Sequence, residues 1–153
     1  MNHLEEIVRE YYEYNGYFVK TNIKFKKLVT GGYTGEADVI AYNPKEEKLI
    51  HIECSKAAIS NKKLESQALK KFPGYLDYQS ELKLEIKEKY KIFIVGQFYT
   101  SKQELMPKGV QHKSVKQFMK EVYDSITEDF MHNAVPEVYP LLRTIQLVKW
   151  ANK

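Results

Sequence analysis

Apolar positions in the first half of the chain predict one helix followed by three strands. Helical spacing predicts an amphipathic helix over residues 2–14, whose core positions are Leu4, Ile7, Val8 and Tyr11. Alternating apolar and polar residues predict a half-buried strand over residues 17–25. Two shorter apolar runs, residues 36–42 and 49–54, flank a turn that begins with Asn-Pro, so they predict a hairpin.

The second half continues with alternating helix and strand patterns. A helix is predicted from residue 60 or 61 to 72, where Pro-Gly ends it, and a nearly continuous apolar run over residues 90–99 predicts a buried strand. Ser114 and Gln117 form a capping box that opens a second strongly amphipathic helix, extending to about Phe130. The final segment, residues 141–150, carries no pattern that decides its structure.

The predicted order of elements is helix, strand, strand, strand, helix, strand, helix. A hairpin followed by a crossover helix and a buried strand predicts a mixed α/β fold, with a mixed central β-sheet flanked by helices. We find no linker, repeat or low-complexity tract, and therefore expect a single domain over residues 1–153. Its core is expected over about residues 2–99, with a C-terminal helical extension over about residues 100–153.

Composition narrows the class of protein further. With 43% hydrophobic and 29% charged residues among 153, the chain resembles a globular protein and neither a disordered nor a fibrous one. The longest apolar runs are too short to span a bilayer, and the acidic start differs from a signal peptide. We therefore expect a cytoplasmic protein without a membrane partner. A lone cysteine, Cys54, excludes an internal disulfide and a multi-cysteine zinc site.

Lysines cluster in two stretches of this mildly basic chain, whose net charge is +4. Four lysines and no acid lie between Lys20 and Lys27, whereas acidic residues dilute the lysines between Lys62 and Lys91. Such clusters are typical either of solvated faces or of a surface that follows nucleic-acid phosphates.

Two carboxylates occupy positions at which strands rarely carry a charge. Asp38 lies inside one predicted strand of the hairpin, and Glu53 lies near the end of the other. Antiparallel pairing of these strands would bring both side chains to one sheet edge, where they repel unless a positive group lies between them. Carboxylate oxygens are ligands that suit Mg²⁺ or Mn²⁺, whereas lysine partners would instead make the two acids structural ion pairs.

The sequences GEADVIAY (residues 35–42) and LIHIECSK (residues 49–56), separated by a turn, resemble the core of the PD-(D/E)xK nuclease superfamily. The resemblance covers about residues 2–99 and implies a restriction-endonuclease-like fold. It also implies that Asp38 and Glu53 hold Mg²⁺ or Mn²⁺, with the Cys54 carbonyl as a further ligand. The implied function is a metal-dependent endonuclease that hydrolyses DNA phosphodiester bonds.

The expected catalytic lysine departs from the pattern of that superfamily. Ser55 stands two positions after Glu53, where the family has lysine, and it can position a water but cannot act as a cation. Lys56 is the expected cation, although strand alternation directs it to the opposite face unless a bulge or the strand end turns it back. Lys62 or Lys63 on the next helix are alternatives.

Three further questions stay open at the level of sequence. Many relatives add a glutamate from the first helix, for which Glu5 and Glu10 are the candidates beside the apolar stripe. The missing lysine also favours an alternative function, a catalytically inactive nuclease-fold module for nucleic-acid binding or assembly; a mixed-sheet protein without any nucleic-acid role is a third. The candidates for a homodimer face are residues 115–130 and the last segment.

Overall fold

The computed structural model describes residues 1–57, 59–96 and 102–153, which form one five-stranded sheet with helices on both faces. The helices are α1 (His3–Tyr14), α2 (Asn61–Lys71), α3 (Tyr78–Leu82), α4 (Val115–Ser125) and α5 (Pro140–Ala151), and a 3₁₀ turn spans Gln103–Leu105. The strands are β1 (Phe18–Lys27), β2 (Tyr33–Asn43), β3 (Lys48–Ser55), β4 (Glu88–Val95) and β5 (Val110–Ser114). None of the described helices is both long and apolar enough to cross a membrane.

The strands lie in the order in which they occur along the chain, β1-β2-β3-β4-β5. β1, β2 and β3 form an antiparallel meander, whereas β4 and β5 pair parallel to β3. The crossover from β3 to β4 contains α2 and α3, as a parallel connection requires. The prediction of a mixed α/β fold with a mixed sheet flanked by helices is confirmed.

The sheet separates a large apolar core from two smaller ones. Helices α1, α4 and α5 pack on one face, where Val8, Ile52 and Phe118 are buried in the large core. On the other face, α2 packs on β4 and β5 through Leu64 and Phe93, and the residues around α3 form the third cluster. Alternate side chains of β3 therefore enter different environments, apolar on the α1 face and partly polar on the α2 face.

The C-terminal third differs from the expected helical extension because it contributes the strand β5 to the sheet. Of the three inward-facing positions of β5, Val110, His112 and Ser114, only Val110 is apolar, so the strand has almost no hydrophobic pattern. α4 ends at Ser125, before the expected end at Phe130, and α5 occupies the segment that the pattern left unassigned. Residues 97–99, the end of the strand expected over residues 90–99, lie outside the described residues.

Candidate active site

Asp38 and Glu53 lie side by side on the α2 face of the sheet. The antiparallel register pairs Val39 with Ile52, which places Asp38 and Glu53 at the next step of the ladder. The backbone N–H of Asp38 donates to Glu53 Oε1 (3.2 Å), and the N–H of Cys54 donates to Asp38 Oδ2 (2.8 Å). Each carboxylate is thus fixed by a main-chain group of the strand that carries the other.

Lys71, the last residue of α2, contacts both carboxylates. Its Nζ lies 2.6 Å from Glu53 Oε2 and 3.4 Å from Asp38 Oδ2. Lys71 was not among the residues expected from sequence, yet the sequence carries a signal for it: Lys71 follows the buried residues Leu64 and Ala68 of α2 at intervals of seven and three. At that spacing a helical residue lies on the same stripe as its buried neighbours.

A buried hydrogen-bond chain holds Glu53 from the side opposite Lys71. His51, two residues earlier on the same strand face, lies with Nε2 2.7 Å from Glu53 Oε1 and with Nδ1 2.6 Å from the Tyr78 hydroxyl. An imidazole protonated at Nε2 donates to Glu53 and accepts the Tyr78 O–H, so all three groups are satisfied. The rings of Phe25 and Phe72 pack against His51 and keep this chain out of water.

The two acids have opposite pKa shifts. Burial and the neighbouring charge of Glu53 raise the pKa of Asp38. Burial also acts to raise the pKa of Glu53, but hydrogen bonds from His51 and Lys71 and the Lys71 charge outweigh it, so this pKa is lowered. The pKa of Lys71 is raised, because the two carboxylates outweigh the effect of its burial.

The other expected residues at the end of β3 differ in how they relate to the pair of acids. The Cys54 main chain adjoins the pair, since its N–H donates to Asp38, and its carbonyl as a metal ligand stays a prediction. The Cys54 side chain lies in the large core on the opposite sheet face, where burial raises the pKa of its thiol. Ser55 lines a cleft of about 400 Å³ together with Lys63 and Gln67 of α2. Lys56 is exposed beyond the strand end, and none of the described contacts of Asp38 and Glu53 involves it.

The two first-helix candidates cap helices. Glu5 forms a capping box with Asn2 at the start of α1. Glu10 is fully buried and accepts the backbone N–H groups of Leu141 and Leu142 at the start of α5, each at 3.0 Å. Because α1 packs on the sheet face opposite Lys71, these contacts direct Glu10 away from the Asp38–Glu53 pair.

The donor set suits a hard divalent cation. In the part of the chain that the structure describes, no group of three or more His, Cys, Asp or Glu side chains is arranged around one point as metal ligands. Asp38 and Glu53 do converge on one point, the position of Lys71 Nζ, and Asp38 remains partly exposed. Mg²⁺ is commonly bound through one or two carboxylates with waters completing its shell, so this pair fits such an ion.

Comparison with known proteins assigns no function to this chain. No model of a protein family matches this sequence, and no curated protein matches it either. Any assignment therefore depends on the geometry of Asp38, Glu53 and Lys71.

Proposed function

We propose that this chain is a metal-dependent endonuclease with a restriction-endonuclease-like fold, which hydrolyses phosphodiester bonds in DNA. The observation that carries the proposal is the convergence of two carboxylates from adjacent strands on the Nζ of one lysine. Structural ion pairs on a sheet are usually exposed, whereas Glu53 is fully buried and held by three separate donors, from Asp38, His51 and Lys71.

Each residue of the site has a distinct role in this proposal. Asp38 and Glu53 hold Mg²⁺ or Mn²⁺, which when bound supplies an activated water and stabilises charge on the phosphate. Lys71 replaces Lys56 as the proposed cation. A metal bound by both acids would displace its Nζ from between them, and the ammonium would then stabilise negative charge on the phosphate oxygens. His51 is a positioning residue, since it contacts Glu53 and fixes the direction of its carboxylate.

A second candidate function is the inactive nuclease-fold module for nucleic-acid binding or assembly. The ion pairs of Lys71 favour it, because one ammonium already offsets part of the charge that would attract a metal. The presence of Ser55 where the superfamily has lysine favours it too.

Cleavage of a panel of DNAs separates the two functions. Linear, nicked, single-stranded and branched DNAs are incubated with Mg²⁺ or Mn²⁺, with an EDTA control. We expect cleavage by the wild type that is lost in EDTA and in Asp38→Ala, and that persists in Asp124→Ala, an exposed α4 acid paired with Lys120. Absence of cleavage, together with a melting temperature that does not respond to Mn²⁺, would contradict the nuclease and favour the binding module.

A further inference from the structure

The hairpin of β1 and β2 projects beyond the rest of the sheet. β2 pairs with β3 only from Val39 onwards, whereas β1 and β2 continue to pair with each other as far as Lys27 and Tyr33. We call residues 24–36 the arm. Tyr33 lies five positions before Asp38 along β2, so the tip of the arm extends roughly 17 Å past the carboxylates at the rise of an extended strand.

Contacts from the α2–α3 region hold the arm in a defined direction. The Tyr75 hydroxyl donates to the Thr34 carbonyl (3.2 Å), and the backbone N–H of Lys26 donates to the Glu81 carboxylate (3.3 Å). At the tip, the N–H of Leu28 donates to the carbonyl of Gly32 (3.0 Å), and the turn uses a left-handed φ of 81° at that glycine. The arm is therefore a braced two-stranded ribbon with a closed tip.

The surface of the arm is basic on its stem and apolar at its tip. Lys24, Lys26 and Lys27 are all exposed, and the one acidic residue of the arm is Glu36, which is exposed and lies directly opposite Lys24. At the tip Val29 is fully exposed, and Leu28 and Tyr33 are each more than two-fifths exposed. Such a combination matches a partner that presents anionic groups on both sides of a groove with an apolar floor.

We propose that the arm enters the major groove of double-stranded DNA while Asp38 and Glu53 face a phosphate of the same duplex. The proposal rests on the proposed nuclease function and adds its substrate class, duplex DNA. A major groove about 12 Å wide admits a two-stranded β-ribbon, and thymine methyl groups on its floor offer apolar contacts to Val29. The stem lysines then lie beside the phosphates that border the groove.

The stem of the arm is tested by double variants that each replace two lysines with glutamine. Affinity for a labelled duplex is measured in EDTA over a range of salt concentrations, so that cleavage plays no part. For Lys24→Gln with Lys27→Gln we expect affinity to fall about tenfold and the salt slope to decrease by about 2. The matched control, Lys45→Gln with Lys108→Gln, removes the same charge from exposed loops away from the arm and should leave the slope nearly unchanged.

The tip of the arm is tested by substitution and by groove ligands. Val29→Glu places a negative charge at a fully exposed position, so we expect an unchanged melting temperature and a loss of duplex affinity of at least about tenfold. Methyl green, which fills the major groove, should displace the wild type, and netropsin, which fills the minor groove, should not. Displacement by netropsin alone, or equal affinity for duplex and single strand, would overturn the proposal.

The outcomes separate this inference from the proposed function. Duplex binding that depends on the arm, without any metal-dependent cleavage, would support the role of the arm and contradict the nuclease function. The opposite result is metal-dependent cleavage by the wild type, with arm variants that bind duplex as tightly as the control variant does. That result would contradict the role of the arm and support the nuclease.

Discussion

Lys71 places one positive charge between two carboxylates that would otherwise repel each other. Glu53 is buried and Asp38 is largely so, with 19% of its side chain exposed, whereas Lys71 has 30% of its side chain exposed. Removal of one partner from a largely buried ion pair leaves an uncompensated charge, which costs more than the pair contributes when intact. In the proposed function a divalent cation would occupy this same position between the acids, so it would compete with the Lys71 ammonium.

Loss of Lys71 should therefore expose the metal dependence of the site. We expect Lys71→Ala to lower the free energy of unfolding by about 1–3 kcal/mol, with part of the loss recovered in Mn²⁺ because the ion neutralises the acids. Thermal melts with and without Mn²⁺ measure both effects. Lys70→Ala, which removes an exposed lysine from the same helix turn, is the control and should show neither. A destabilised Lys71→Ala that Mn²⁺ leaves unchanged would contradict a shared site.

The opposite pKa shifts of the two acids predict opposite pH dependences of stability. The pKa of Glu53 is lowered from its ordinary 4.5. Its contribution to the free energy of unfolding is therefore complete above pH 4.5 and is lost as pH falls through its pKa in the folded protein. The pKa of Asp38 is raised from 3.8, so its contribution is present below that pH and is lost as pH rises through the folded value. Urea unfolding from about pH 3 to pH 7 measures both. As pH falls, the difference in free energy of unfolding between the wild type and Glu53→Gln should decrease. The difference between the wild type and Asp38→Asn should increase.

A site residue can be recognised from the sequence only when it stands out from the pattern of its neighbours. Asp38 and Glu53 stand out because each interrupts an apolar strand. Lys71 does not, since lysines near the end of a helix are common and its inward direction depends on how α2 packs through Leu64 and Ala68. His51 could not be assigned from sequence either, because its role requires the hydroxyl of Tyr78, which is 27 residues away.

Helix α5 is attached to α1 by a buried carboxylate. Glu10 accepts two N–H groups at the start of α5, where the helix has unsatisfied donors and a favourable dipole for an anion. For Glu10→Ala we expect a loss of about 1–3 kcal/mol in the free energy of unfolding, measured in urea. Glu13→Ala removes only a partly exposed pair with Arg9 on the same helix and should cost less than about 1 kcal/mol. Equal losses in the two variants would contradict a capping role for Glu10.

The end of β4 approaches the end of β3 so closely that it requires glycine. A Cβ at Gly96 would lie 2.5 Å from the main-chain oxygen of Lys56, and the N–H of Gly96 donates to the carbonyl of Ser55 (2.8 Å). We expect Gly96→Ala to displace the chain that follows Glu53 and to lower the free energy of unfolding by about 1–3 kcal/mol. Gly74→Ala is the control, since nothing lies within 4 Å of its Cβ position. Unchanged stability in Gly96→Ala would show that this approach is not tight.

Elements were predictable where hydrophobic periodicity was strong. α1, the hairpin strands β2 and β3, and α4 all have a clear apolar face. The first three lie within three residues of their expected bounds, whereas α4 begins where expected but ends five residues early. β5 was missed because its buried positions include His112 and Ser114, which are stabilised by hydrogen bonds and helix capping. A polar residue at a buried position has no hydrophobic signal, and its partners are distant in sequence.

For the molecule as a whole, the sheet divides structural from candidate functional surfaces. Helices α1, α4 and α5 cover one face with apolar packing, whereas the carboxylates, Lys71 and the base of the arm lie on or beside the other. The mixed α/β class could be predicted from the order of elements alone. The projection of the arm could not, because it follows from where β3 ends relative to β1 and β2.

The most direct test of the account is single-turnover cleavage of a labelled duplex as a function of Mg²⁺ concentration. The wild type should cleave with a rate that saturates in Mg²⁺, and Glu53→Gln should reduce that rate by about a hundredfold or more, since a metal contributes several kcal/mol to the transition state. Glu65→Gln, an exposed acid on α2, should match the wild type. No cleavage by the wild type at any Mg²⁺ or Mn²⁺ concentration, or equal rates for wild type and Glu53→Gln, would contradict a metal-dependent nuclease site at Asp38 and Glu53.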